Sequence, residues 1–247
     1  MKFLAALQFL TTIPIRRKFS DEEVGGSLSY FPLVGLILGL ILAALCWLLG
    51  FLLPIALVDV LLIISLVALT GALHLDGFLD ACDGLACHGT PQERLDIMSD
   101  SRAGGIGAVC VFSLLLLKYI SLTTLPESIK IEALILMPVM GRWSMSYTIF
   151  AYPYAKSHGL GKPFKEGSGP RNFAIATGVT SFIALVVGWM WGLIVMFGIW
   201  IIAMGMASFL GKRFGGLTGD CYGAIAEVTE VGVLIMASLF VHNGWIC

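Results

Sequence analysis

Seven stretches of this chain, each about the 20 residues a helix needs to cross a bilayer, are apolar on all sides and hold few charges. They run over 33–53, 55–75, 105–125, 131–150, 173–191, 192–210 and 223–243. A helix apolar all round must be buried in a large core or in lipid, and a chain of this length has no core large enough for seven. Pro54, Pro126 and the polar stretches mark most of the breaks, and a tight Trp191–Gly192 turn is expected to divide 173–210. Composition agrees: of 247 residues, 58% are hydrophobic and only 13% charged, where a soluble domain carries about 25% charged residues. The mean hydropathy of +0.93 excludes a disordered chain. Fifteen basic against 16 acidic residues leave no positive field for nucleic acid. The expected fold is all-α, a polytopic transmembrane helical bundle forming one integral membrane domain over 1–247. Seven spans are expected, with six or eight as alternatives. The 29 glycines suit close helix packing in lipid. Six scattered cysteines make no disulfide framework, and Cys82, Cys87 and His88 match no standard zinc spacing.

Residues 1–15 are apolar but too short to span. The basic cluster Arg16–Arg17–Lys18 follows them instead of preceding them, so they do not read as a cleavable signal. An interfacial or re-entrant helix is expected, with Phe3, Leu7 and Leu10 on one side. Lys2, Arg16, Arg17 and Lys18 precede the first span; Arg94, Arg102, Lys156, Lys162, Lys165, Arg171, Lys212 and Arg213 follow the second, fourth and sixth. The opposite side has little beyond Lys118 and Lys130. The excess of positive charge predicts a cytoplasmic N-terminus in the cytoplasmic membrane, with the polar loops 76–104, 151–172 and 211–222 on the same face.

Eight of the 16 acidic residues fall in three short segments on that face. In His74–Leu–Asp–Gly–Phe–Leu–Asp–Ala–Cys–Asp–Gly84, Asp76, Asp80 and Asp83 are spaced i, i+4, i+7 and share one helical face. Three neighbouring carboxylates resist ionising together. A divalent cation among them would resolve this, and hard Mg²⁺ takes such oxygen ligands; a solvated helix end is the plainer reading. The second set is Asp96, Asp100 and Arg102, followed by Gly104, Gly105 and Gly107. Arg102 could fork onto a phosphate or carboxylate, and the glycine N–H groups at the start of a span could meet an anion. An ordinary loop helix with glycines for packing fits equally well. The third set, Asp220, Glu227 and Glu230, enters the last apolar run with no basic neighbour in its segment. Ionisable groups at that depth are functional candidates, unless Arg142 or a lysine from another helix is their partner. The loop 151–172 carries Lys156, His158, Lys162, Lys165 and Arg171 among glycines, with Tyr152, Tyr154 and Phe164 interleaved. It could grip phosphates and stack a base, or simply lie near anionic lipid.

Taken in order, these segments resemble cobalamin synthase, the adenosylcobinamide-GDP ribazoletransferase family. The resemblance is carried by His-Leu-Asp-Gly-x-x-Asp-x-x-Asp-Gly (74–84), Met-x-Asp-Ser-Arg-x-Gly-x-x-Gly (98–107) and Gly-Gly-x-Thr-Gly-Asp-x-x-Gly-Ala-x-x-Glu-x-x-Glu (215–230). Weaker agreement extends to Thr11–Pro14, Phe31–Pro32 with Gly35, Gly141–Arg142 and Gly159–Gly161. Lys156–Ser157–His158 departs from the arginine- and glutamate-flavoured stretch expected there.

The resemblance implies a Mg²⁺-dependent membrane enzyme. It would join adenosylcobinamide-GDP to α-ribazole or its 5′-phosphate, releasing GMP and giving adenosylcobalamin or its phosphate. A ribose hydroxyl would attack the phosphorus attached to cobinamide. Asp76, Asp80 and Asp83 are expected to hold one or two Mg²⁺ ions, with Asp220, Glu227 and Glu230 completing the shell or holding a second ion. Arg102 would contact a phosphate and Asp100 would orient it or a bound water, while one carboxylate takes the hydroxyl proton. His74, Asp96, Ser101, Gly104, Arg142, Lys156, Gly215, Gly216 and Thr218 are expected at the substrates. Membrane lipid, a second copy of the chain and other cobalamin-assembly enzymes are the expected partners. Two rival readings remain. A CDP-alcohol phosphotransferase would need an Asp-Gly-x-x-Ala-Arg opening, where this chain has Phe78–Leu79–Asp80 after Asp76–Gly77. A cation-coupled transporter would use Asp59, Glu227 and Glu230 near mid-bilayer, and would show internal repeats, none of which is clear here.

Overall fold

The computed structural model describes residues 1–247 except Ser101, Ser157, His158, Leu160 and Cys247. In chain order come α1 (Lys2–Leu10), α2 (Asp21–Gly25), a 3-10 turn (Gly26–Tyr30), α3 (Phe31–Gly50), α4 (Ile55–Thr70) and α5 (Leu73–Ala86). Then follow α6 (Pro91–Ile97), α7 (Gly105–Thr123), α8 (Glu127–Ala151), α9 (Lys162–Glu166), α10 (Pro170–Phe214) and α11 (Gly219–His242). Proline starts many of them: Pro32, Pro91, Pro163 and Pro170 stand in first turns, and Pro54 and Pro126 at N-caps. There the missing N–H breaks no helical hydrogen bond. Among the described residues no strand forms, and the nearest thing to one is a single parallel bridge between Tyr154 and Leu217.

Four helical stretches are long and apolar enough to cross a membrane: Asp21–Gly50, Gly105–Thr123, Pro170–Phe214 and Gly219–His242. The pair α4 and α5 makes a fifth if it is taken as one broken span, since the two meet at 90°. α8, with Glu127, Lys130, Glu132 and Arg142, falls outside that count. α10 is 45 residues long. As one straight rod it would reach about 68 Å, more than twice a hydrocarbon core of about 30 Å. It instead folds back at Trp189, whose φ of 48° and ψ of −137° are not helical. The Ser181 hydroxyl lies 3.5 Å from the Met196 sulfur across the resulting hairpin. The reversal thus falls at Trp189 and not at the expected Trp191–Gly192. Gly192 instead allows the two arms to close, because a Cβ there would collide with the Ala184 carbonyl.

α8 is the central element, packed against α3, α10 and α11. Gly35 and Gly39 of α3, one turn apart, lie against the backbone of α8 at Pro138 and Ile135, where a Cβ on either would clash. This is the small-residue packing that lets helices approach in lipid. At one end of the bundle α1, α2, α6, α9 and the loops on either side of α9 gather around α5 and the start of α11. All three acidic motifs begin there.

Candidate active site

α5 leaves the line of α4 because Gly71 and Ala72 both adopt left-handed backbone, with φ of 60° and 58°. α5 then runs across the end of the bundle at 90° to α4. The expected helix for Asp76, Asp80 and Asp83 is therefore present, packed against α11 and α7. Its crossing with α11 is made by glycine on both sides. A Cβ on Gly77 would stand 2.8 Å from the Asp220 Cα, and one on Gly223 3.0 Å from the His74 carbonyl oxygen. The Asp-Gly of the first motif and the Gly-Asp of the third are thus one contact, and it brings Asp76 and Asp80 beside Asp220.

Asp83, one turn further along, does different work. One carboxylate oxygen accepts the Gly104 N–H at 2.8 Å and the other the Gly107 N–H at 2.7 Å. The anion expected at the start of α7 is supplied by the chain itself. A Cβ on Gly104 or Gly107 would overlap the Asp83 carboxylate, so the glycines of the second motif answer the last aspartate of the first. With both oxygens engaged, Asp83 ties α5 to α7, and the Gly104 N–H is not free for substrate. Arg94, which the sequence did not single out, closes the other end of α5. Its guanidinium donates to the carbonyls of Gly84 (3.1 Å), Leu85 (2.9 Å) and Gly89 (3.2 Å).

The third motif enters through a turn. Gly215 and Gly216 have φ of 75° and 146°, and a Cβ on Gly216 would stand 2.9 Å from the Ala155 backbone. They shape the backbone rather than reach outward. Leu217 then pairs with the preceding loop, donating to Pro153 O at 2.9 Å and accepting from Ala155 N at 2.8 Å. Thr218 caps α11, accepting from Cys221 N, and its hydroxyl donates to Asp220 at 3.2 Å. The pairing holds Lys156 over the carboxylates. Its ammonium donates to the Ser99 hydroxyl at 3.1 Å, and its charge opposes the rise in the Asp80 pKa. That pKa is nonetheless pushed up to about 6, chiefly by partial burial and then by the carboxylates of Asp76, Asp220 and Asp83.

Asp76, Asp80 and Asp220 form an oxygen-only donor set crowded enough that one member resists ionising. In donor chemistry they fit Mg²⁺. Among the described residues no three His, Cys, Asp or Glu side chains close around a common point.

Glu227 and Glu230 lie apart from this set. The Lys118 ammonium donates to Glu227 at 2.7 Å and to Glu230 at 2.6 Å, and Arg142 pairs with the other Glu230 oxygen. All four are buried. The expected metal ligands have found the basic partners their own segment lacks: two cations balance two anions, as low dielectric demands. Lys118 is therefore inside the bundle and not at its far surface, and Arg142, 1% exposed, cannot reach a substrate phosphate. Asp59 is likewise buried against Lys130, at 2.8 Å.

The second motif's charges are outward. Asp100 and Arg102 bind each other at 2.6 Å, with Arg102 87% exposed, and this contact pulls the Asp100 pKa down to about 2. Asp96 is exposed and accepts from Gln92 at 2.9 Å. Ser101 and His158 lie outside the described residues. Of the loop lysines, Lys165 is spent on the carbonyls of Ile149 and Phe150 at 2.9 Å, and Lys162 faces Glu166 at 3.6 Å on the surface. Lys156 is the one that reaches the carboxylates.

The sequence as a whole was compared with known proteins. The family model described as cobalamin-5-phosphate synthase matches residues 2–238. An adenosylcobinamide-GDP ribazoletransferase of Geotalea daltonii is 40% identical over 237 residues, 93% of each chain. Another, of Desulforamulus reducens, is 37% identical over 241 residues, covering 95% of this chain and 94% of the relative. A third, of Roseiflexus sp., is 37% identical over 236 residues, 95% of this chain and 88% of the relative. No solved structure matches the chain.

Proposed function

Since this chain belongs to the cobalamin-5-phosphate synthase family, we infer that it performs the ribazole transfer for which its relatives are named. Adenosylcobinamide-GDP and α-ribazole, or its 5′-phosphate, are joined with release of GMP. The observation that carries the site assignment is the α5–α11 crossing, where Gly77 seats the first motif on Asp220 of the third.

Asp76, Asp80 and Asp220 would hold Mg²⁺. When bound, the ion neutralises phosphate charge and favours departure of GMP. Lys156 faces the same carboxylates from the 152–156 loop and is placed to meet a phosphate oxygen as a point charge. Arg102, exposed and paired with Asp100, can swing to the same diphosphate. A carboxylate of this set that does not bind the ion would take the ribose hydroxyl proton. Phosphoryl transfer asks mainly for positioning and charge neutralisation, and each of these residues supplies one or the other. We assign the chain to the cytoplasmic membrane, with this end facing the cytoplasm, because the basic residues flanking the helices gather there.

The test uses purified, folded full-length protein with both substrates. Asp80→Asn should abolish Mg²⁺-dependent GMP release while the protein keeps its melting temperature. Near-normal turnover would sink the metal assignment. The rival transporter reading loses its basis, since Asp59, Glu227 and Glu230 each have a buried basic partner.

A further inference from the structure

Behind the carboxylates, α5, α8, α9 and the start of α11 enclose a cavity of about 160 Å³. Its walls are apolar and aromatic, with Phe164, Met145, Ile149, Tyr154 and Tyr222 among them, and Lys156 and Asp220 also line it. The Tyr154 and Tyr222 rings lie nearly parallel, 25° between planes and 6.4 Å between centroids. Two of the lining residues carry a buried polar atom with no hydrogen-bond partner among the described residues, His74 Nε2 and the Tyr222 hydroxyl. Both residues are only 2% exposed. Leaving a buried donor unpaired is costly, so such groups on cavity-lining residues mark a place where something else completes them.

The protonation of His74 follows from its neighbour. Arg142 Nη2 stands 3.3 Å from His74 Nδ1, and a guanidinium has only donors. Nδ1 must therefore present its lone pair, and the ring proton sits on Nε2. Arg142 is itself fixed by Glu230, and Glu230 by Lys118. The buried ion cluster thus acts as a brace that keeps a hydrogen-bond donor on the cavity wall. A cavity with aromatic walls, one fixed N–H donor and one hydroxyl matches a planar heteroaromatic base carrying a ring-nitrogen lone pair. A phosphate or a lipid chain would leave one set of groups unused: the aromatic walls in the first case, the N–H and hydroxyl in the second.

We propose that this cavity binds the heteroaromatic base of a substrate, with His74 Nε2–H and the Tyr222 hydroxyl bonded to its ring edge. The proposal rests on the transferase reading, under which two substrates carry such a base: α-ribazole, and the guanine of adenosylcobinamide-GDP. The experiment measures KM for each substrate separately, and melting temperature, in Tyr222→Phe, His74→Leu and His74→Gln, the last of which keeps an N–H donor. Tyr222→Phe should raise one KM about tenfold, the weight of one lost hydrogen bond, without moving the other KM or the melting temperature. His74→Leu should raise the same KM and also lower the melting temperature, because Arg142 loses its Nδ1 acceptor, and His74→Gln should recover most of the KM loss. A change in the α-ribazole KM alone places the nucleoside base in the cavity; a change in the adenosylcobinamide-GDP KM alone places guanine there. Unchanged or equally raised KM values for both substrates overturn the proposal. Wild-type protein with no turnover at all counts against the transferase reading instead. Equilibrium dialysis of free α-ribazole and of GDP against wild type and Tyr222→Phe then decides the cavity by itself. Equal retention by the two proteins overturns the proposal, and weaker retention by the variant supports it.

Discussion

At the scale of single residues, chemically identical side chains separate by what surrounds them. Asp80 and Asp83 lie on one face of α5 and belong to one motif, yet Asp80 is crowded by carboxylates while Asp83 is saturated by two backbone N–H groups. Their asparagine variants should therefore behave in opposite ways. Asp80→Asn removes a repelling charge, so the melting temperature should hold while turnover vanishes. Asp83→Asn keeps one acceptor and presents an NH₂ group to the other N–H, which should cost about 2 kcal/mol of stability, the range for hydrogen bonds to charged groups. Thermal unfolding of the two variants side by side reads the difference; equal melting temperatures would mean Asp83 is no cap. The i, i+4, i+7 spacing made all three aspartates legible as one helical face. It could not divide the roles, because the partners of Asp83 lie 21 and 24 residues on. The same limit governs Glu227 and Glu230, whose partner Lys118 is more than 100 residues away.

At the scale of elements, the helices followed from the apolar runs and the prolines that start them, while their directions did not. Nothing local in 55–86 announces that α5 turns 90° from α4, since Ala72 is an unexpected residue for left-handed backbone. The reversal in 170–214 was foreseen, but Gly192 drew it to the wrong residue; that glycine serves packing between the arms. The site depends on one such packing contact. Gly77→Ala would set a methyl 2.8 Å from the Asp220 Cα, in backbone with no room to yield, and so would push α5 away from α11. Overpacking of this kind costs about 1–3 kcal/mol, but the larger effect should be on catalysis, because Asp76 and Asp80 move off Asp220 together. We expect the variant to lose most of its turnover and to need more Mg²⁺ for half-maximal rate. Gly105→Ala, where a Cβ meets nothing within 4 Å, is the control and should retain both. If Gly77→Ala kept the wild-type Mg²⁺ requirement, the crossing would not be what assembles the ligands.

At the scale of the whole molecule, charge is sorted into two classes, and the sorting bears on topology. The acids and bases within the bundle cancel locally: Lys118 and Arg142 against Glu227 and Glu230, Lys130 against Asp59. Lys118 and Lys130 lie buried within helices and not in flanking loops, so they drop out of a count that concerns loop residues. What is left uncancelled is more one-sided than the raw sequence suggested, with Lys2, Arg16, Lys18, Arg171, Lys212 and Arg213 all near the motif-bearing end. That strengthens the inference that this end faces the cytoplasm, where a nucleotide-linked substrate is soluble. Length and apolarity alone do not fix the number of crossings, because α8 carries charge and α10 counts as one helix. Parity does. If α3, α4, α7, α8, the two arms of α10 and α11 each cross once, the count is odd and the two termini lie on opposite sides. A C-terminal alkaline phosphatase fusion, active only outside the cytoplasm, should then be active, while a C-terminal green fluorescent protein should stay dark. Either reporter giving the reverse would mean an even number of crossings. The hairpin at Trp189 could not be the cause, since an α10 that dips in and returns without crossing removes two crossings and leaves the parity unchanged; the bent α4–α5 pair, which contributes a single crossing, would be the first place to look.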